Sequence, residues 1–256
     1  MSKNNVKTNL IREFRANLTT KFRIPSDNLG KKLIEEYGAL FAAGNGAIPP
    51  KQVIFKNEAE VLKFQSSVAK EKETVGGFQI ELQAAAMKNL KKAIAEAEEN
   101  NLTVTPRGAD AARRSYADTE QLWASRVNPA LIHWVKAGKI TESKAEQIRS
   151  LSAFEQAPEI FKLEKRGMFF SKDLSKSIIY SVAPPGASQH LSMLALDVAE
   201  FDDRRVREIL AKHGWFQTVV SDLPHFTFLG ITENELSNLG LKKITDDGRV
   251  FWIPDI

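Results

Sequence analysis

The sequence predicts an α+β fold, with antiparallel strands concentrated in the second half of the chain. Three observations carry this. Leu82, Ala86, Leu90, Ala93, Ile94 and Ala97 recur at helical spacing. Leu194, Leu196 and Val198 alternate with Ala195, Asp197 and Ala199, and Phe226 and Phe228 alternate with His225, Thr227 and Leu229, as half-buried strands do. Asp246-Asp247-Gly248 sits within a run, Lys242 to Ile253, that reads as a hairpin.

In chain order, Asn9 to Thr20 and Asn28 to Ala43 read as amphipathic helices. Ile24-Pro25-Ser26-Asp27 separates them and supplies a cap for the second. Gly44-Asn45-Gly46 and Pro49-Pro50 break the chain. Gln52 to Lys56 reads as a short strand, Glu58 to Ser66 as a helix, and Thr74 to Gly77 as a linker. Phe78 to Asn100 is the clearest helix, Leu102 to Thr105 alternates like a strand, and Pro106 stops it. Asp110 to Val127, Asn128 to Ala137 and Ser143 to Leu151 have helical character; Met168 to Phe170 and Ile178 to Val182 have strand character. Pro184-Pro185-Gly186 opens a loop, and Val206 to His213 is a short helix ending at Gly214. The linker divides the chain into a mainly helical N-terminal region, 1–77, and a second domain, 78–256.

The 256 residues are 43% hydrophobic and 27% charged, enough for one sizeable core or two modest ones. The absence of cysteine excludes disulfides, thiolate metal sites and a catalytic thiol. Residues 1–80 carry 13 Lys/Arg against 8 Asp/Glu, whereas the remainder carries 23 against 24. The basic excess therefore sits in the first third and suits an anionic surface or a plain solvated face. Nucleic-acid binding is not expected, because basic and aromatic residues are not interleaved. No apolar run is long enough for a transmembrane helix, and Met1 to Leu18 lacks the apolar centre of a secretion signal.

The chemistry lies in Ser188-Gln189-His190-Leu191-Ser192-Met193-Leu194-Ala195-Leu196-Asp197, answered by Asp222-Leu223-Pro224-His225. Two imidazoles and one carboxylate can hold zinc and leave a fourth position for water. A spare carboxylate beside that water can take its proton. Residues seven apart on one straight strand face opposite ways, so His190 must sit in the loop before the strand for Asp197 to meet the same ion. His225 would start a neighbouring strand and Asp222 would lie in the turn before it. Spacing alone also fits ordinary polar residues at strand ends. A Ser-His-Asp triad from Ser188 lacks a nucleophile-elbow context.

Ser188-x-His190-x4-Ala195-x-Asp197 followed by Asp222-x-x-His225 resembles the zinc D-alanyl-D-alanine carboxypeptidases, in the superfamily that includes lysostaphin-type and hedgehog-type domains. Ala183 to Ser188 is similar to that family's approach to its first ligand, and Arg114-Ser115-Tyr116 to its Arg-Ser-Tyr segment. The resemblance covers about Phe78 to Gly230 and leaves 1–77 unaccounted for. It implies an antiparallel sheet carrying a zinc cleft with flanking helices, and His190, Asp197 and His225 as zinc ligands. It further implies Asp222 as general base and Arg114 as the group that binds a substrate carboxylate or steadies the oxyanion. Ser188 would orient the first ligand or the substrate, and Tyr116 would line the cleft. Arg113, about 100° round the same helix, is the fallback for Arg114.

Three positions depart from the family's pattern. Met193 replaces the usual glycine, which suggests a different backbone or a filled pocket. Asp222 replaces the usual glutamate and is one methylene shorter. Leu223-Pro224 stands where a tryptophan is common. What the resemblance implies is a zinc peptidase acting on peptidoglycan peptides that end in D-Ala-D-Ala, hence in the periplasm or outside the cell. The alternatives are an L-alanyl-D-glutamate endopeptidase, which matches Asp at position 222, and a catalytically impaired cell-wall or protein-binding module of the same fold.

Overall fold

The computed structural model describes residues 25–256 together with Phe14, Leu18 and Phe22. The helix expected over Asn9 to Thr20 lies outside the described residues, Phe14 and Leu18 apart. The elements run α1 (Asn28–Tyr37), α2 (Glu58–Ser67), β1 (Lys70–Val75), β2 (Phe78–Gln83), α3 (Ala84–Glu99), α4 (Tyr116–Lys136), α5 (Glu142–Arg149) and α6 (Ala153–Glu164). They continue with β3 (Ala195–Asp197), α7 (Arg204–Lys212), β4 (Trp215–Phe216), β5 (His225–Phe228), α8 (Glu233–Leu236), β6 (Leu241–Asp246) and β7 (Arg249–Pro254). This is a mixture of helices with small antiparallel sheets, the α+β class expected.

The chain forms two compact units, one of 1–53, 63–114 and 189–256, the other of 54–62 and 115–188. That division replaces the expected cut at residue 77. Thr74 to Gly77 is not a linker: β1 and β2 pair in register from Lys70↔Gln83 to Val75↔Phe78. Gly76 and Gly77, at φ +55° and +84°, form the two-residue turn between them. Both central positions need positive φ in such a turn, which glycine supplies without strain. The helix expected over Phe78 to Asn100 therefore begins only at Ala84. Phe78-Gln-Ile-Glu-Leu-Gln has period two with Ile80 and Leu82 buried, but Leu82 also continues the helical series through Ala86 and Leu90.

In the first unit, β3, β5 and β4 form a sheet in that order, with Asp197 opposite His225 and Ala195 opposite Thr227. Leu196 is opposite Phe226, and these two face the other way, with Trp215 paired to Phe228 beyond them. All four are essentially buried, as are Leu82, Met87 and Leu90. So one face of this sheet is apolar core and the other carries Asp197, His225 and Thr227. The β6–β7 hairpin forms as expected, its turn residues Asp247 and Gly248 both at positive φ. Asp27 caps α1, accepting from the Gly30 amide at 2.8 Å, and the helix tightens into a 3₁₀ turn over Gly38–Ala42.

In the second unit, α4 runs through Pro129 as one helix where two were expected. It starts at Tyr116 rather than near Asp110, because Ser115 and Asp118 close a capping box there. The helix α6 has the same signature, Ser152 with Glu155, and escaped the sequence reading because Pro158 interrupts its pattern. Trp123 is core in this unit, its indole donating to Gln156 at 3.0 Å. Neither Met168–Phe170 nor Ile178–Val182 is a strand; the latter contains a 3₁₀ turn, Ile178–Tyr180. Gln52–Lys56 and Leu102–Thr105 are likewise not strands, the second giving only an isolated bridge from Pro106 to Val198.

Candidate metal centre

His190 lies in a 3₁₀ turn, Gln189–Ser192, immediately before β3. Asp197 ends β3 and His225 begins β5, paired across the sheet. One potential ligand atom from each of these three residues falls within 4.8 Å of the others, so the group can hold a metal ion. His190 Nε2 approaches Asp197 Oδ1 at 3.3 Å, and His225 Nδ1 approaches the same oxygen at 3.1 Å. The two rings stand nearly perpendicular, 4.9 Å between centroids. Both histidines are buried, and the Asp197 side chain is 14% exposed.

The proton positions follow from the partners. His190 Nδ1 lies 2.7 Å from the Ala112 carbonyl. A carbonyl only accepts, so Nδ1 carries the hydrogen, and in the neutral ring Nε2 carries a lone pair. That Nε2 is buried without a hydrogen-bond partner. Burial, with Arg114 and His225 acting in the same sense, pushes the His190 imidazolium below its ordinary pKa despite Asp197. Burial opposes ionisation of Asp197 too, yet the carboxyl beside the two imidazoles sits well below the usual range and is ionised, with Arg114 Nη2 2.9 Å from its outer oxygen. A neutral imidazole lone pair and a carboxylate oxygen thus face one another in a buried site. Two acceptors so placed repel, and a cation between them turns the repulsion into coordination. The donor set, two imidazoles and one carboxylate, matches three-ligand catalytic zinc sites. The residues fit a metal cation.

The other expected site residues are placed unequally. Arg114 Nη2 pairs with Asp197 Oδ2 at 2.9 Å, and its Nε donates to the Asp110 carbonyl at 3.1 Å. It therefore grips the outer oxygen of a ligand instead of projecting as a free clamp. Arg113 turns away, bonded to Gln65 at 2.8 Å and to Glu81 at 3.0 Å. Neither arginine is in a helix, since both precede the Ser115 cap. Asp222 is exposed in the turn before β5, and its carbonyl accepts from the His225 amide at 3.1 Å. It is not one of the three clustered residues.

Ser188 and Tyr116 belong to the second unit. Tyr116 is buried, and burial, reinforced by Glu120 and Glu60, pushes its hydroxyl up to about 12. Met193 has φ +57°, the left-handed backbone that the usual glycine would favour, and its side chain is fully buried. The backbone is therefore kept and the pocket filled. His213 pairs with Glu96 at 2.8 Å, apart from the cluster.

Sequence reasoning passed over the residues that support the ligands. Gln65 is buried and bridges the Arg114 and Leu191 carbonyls at 3.0 and 3.1 Å, tying the arginine to the turn that carries His190. Gln189 contacts both His225 and Thr227. For Gln189 the signal was its place between Ser188 and His190; for Gln65 there was none. Compared with known proteins, the chain matches no protein family, no curated protein and no solved structure.

Proposed function

We propose that this chain is a zinc-dependent peptidase acting on peptidoglycan stem peptides, with removal of a terminal D-alanine from D-Ala-D-Ala as the reaction it fits best. The observation that carries the reading is the buried encounter of the His190 lone pair with the Asp197 carboxylate, completed by His225. Buried acceptors brought together at this cost mark a functional site. His190, Asp197 and His225 would hold the ion. Zinc in such a site supplies a Lewis acid that acidifies water and polarises a scissile carbonyl.

Asp222, exposed and fixed at its main chain to His225, is the base that takes a proton from the attacking water and returns it to the leaving amine. Arg114 neutralises the outer Asp197 oxygen and fixes its orientation. Substrate of this class places the protein in the periplasm or outside the cell.

The test is metal analysis of the purified protein beside His190→Ala, followed by release of D-alanine from muropeptides. About one zinc per chain, lost in the variant, together with D-alanine release is the expected result. Zinc with cleavage only between L-alanine and D-glutamate would reassign the bond. Zinc without cleavage of any muropeptide would make the chain a binding module, and no zinc in either protein would end the metallopeptidase reading.

A further inference from the structure

The second histidine is held by a chain of buried polar groups with a direction. The Gln189 side-chain amide donates from Nε2 to the Tyr37 carbonyl at 2.9 Å, which fixes its oxygen on the opposite side. That oxygen, Oε1, accepts from the Thr227 hydroxyl and lies 3.0 Å from His225 Nε2. Thr227, whose proton is committed to Gln189, accepts from Thr218 at 2.6 Å. Gln189, Thr218 and Thr227 are all buried. An amide oxygen cannot donate, so His225 Nε2 must carry a hydrogen. Nδ1 is then the nitrogen turned to Asp197 Oδ1.

We propose that Gln189 is a positioning residue that sets the tautomer of His225, holding the ring proton on Nε2 so that Nδ1 can serve as ligand. This rests on the metallopeptidase reading. The competing arrangement is a single proton on Nδ1, donated to Asp197 Oδ1 at 3.1 Å. It would consume the ligand lone pair. It leaves the Nε2 lone pair against the Gln189 oxygen, two acceptors 3.0 Å apart in a buried site that nothing relieves, whereas the Nε2–H tautomer leaves the Nδ1 lone pair 3.1 Å from Asp197 Oδ1, where a cation relieves it. The two histidines are thus set by the same logic through different partners, His190 by the Ala112 carbonyl and His225 by a side chain that mutation can reach. The Tyr37 carbonyl, which only accepts, leaves the amide only this orientation, and the direction Thr218→Thr227→Gln189 follows from it.

The test pairs ¹⁵N NMR of the histidine ring nitrogens with zinc affinity by chelator competition, on the full chain, Gln189→Leu and Gln189→Glu. The expected wild-type result is a His225 ring proton on Nε2, with and without zinc. Gln189→Leu should lose that proton from Nε2 and bind zinc about 10–100-fold more weakly, the usual effect of removing a partner of a metal-bound histidine. Gln189→Glu keeps an acceptor for His225 but exchanges the donor to Tyr37 for an oxygen, so it should keep the Nε2 proton and bind zinc more tightly than Gln189→Leu. A wild-type ring proton on Nδ1 alone overturns the proposal, and this measurement stands even if Gln189→Leu does not fold. Equal zinc loss in both variants with the proton still on Nε2 also overturns it, leaving Gln189 a merely structural residue. A wild-type chain that takes up no zinc ends the peptidase reading, while the ring-proton position still decides whether Gln189 holds the tautomer.

Discussion

Replacing Asp197 by asparagine asks whether the imidazoles aim lone pairs or protons at the carboxylate. The carboxylate meets Arg114 Nη2 at 2.9 Å through Oδ2, and His190 and His225 at 3.3 and 3.1 Å through Oδ1. An asparagine in the same place keeps an oxygen toward Arg114 and turns an amide NH₂ toward the rings. The bond to Arg114 loses its charge assistance on one side, a cost of about 1 kcal/mol. Hydrogen bonds from the amide to the two ring nitrogens gain about 1 kcal/mol each. Without metal, Asp197→Asn should therefore unfold within about 2 kcal/mol of wild type.

Rings that carried protons toward Asp197 would give a different result. The substitution would strand buried cations and cost about 3–5 kcal/mol. Urea unfolding in the presence of a chelator measures the difference. With zinc at 100 times its dissociation constant, wild type should gain about 2.7 kcal/mol and Asp197→Asn nothing. A metal-free loss in the larger range, or a wild-type stability indifferent to zinc, would falsify the lone-pair argument.

Asp222→Asn should lower turnover about 10²–10⁴-fold with zinc content unchanged, as removal of a general base does; unchanged turnover would take Asp222 out of the mechanism. Met193→Gly relieves a left-handed residue worth about 1–2 kcal/mol but empties a fully buried side-chain site worth about 2–5 kcal/mol, so thermal unfolding should show a net loss with zinc binding retained. Tyr116, raised to about 12, keeps its proton in the folded chain after the unfolded chain has lost it. Stability should therefore fall as pH rises through about 10 and on to about 12, by up to about 3 kcal/mol. Tyr116→Phe should flatten that alkaline limb and leave peptide hydrolysis intact; a large rise in KM would restore Tyr116 to the substrate site.

The fold was legible where one period ruled. The alternation in Leu194–Val198 and His225–Leu229 led to β3 and β5, and Asp246-Asp247-Gly248 to a true hairpin turn. It was illegible where two periods shared the same residues. Leu82, Ala86 and Leu90 satisfy a helix, but Leu82 with Ile80 is the inward side of β2, and Gly76-Gly77 is the turn that makes the strand possible. Reading those glycines as a linker moved the domain boundary into the middle of a hairpin. The prolines inside α4 and α6 misled in the opposite direction, since capping boxes and packing outweighed the hydrogen bonds they remove.

The candidate site divides in the same way. Which residues could meet was readable: His190 lies in the turn before β3, from which it reaches Asp197, and strand pairing brings His225 beside it. Which atoms carry hydrogens was not, because the groups that decide it leave no mark in a motif. The Ala112 carbonyl is a main-chain oxygen that any residue would provide, and its position depends on the path of the chain before Arg114. Gln189 is decisive only because Tyr37, 152 positions earlier, presents a carbonyl that fixes which end of the amide faces His225. It is through these distant acceptors that a cluster of two histidines and an aspartate would favour a cation over a protonated hydrogen-bond network. That is why the Asp197→Asn and Gln189→Leu variants, which leave His190 and His225 in place, bear more directly on function than deleting either histidine.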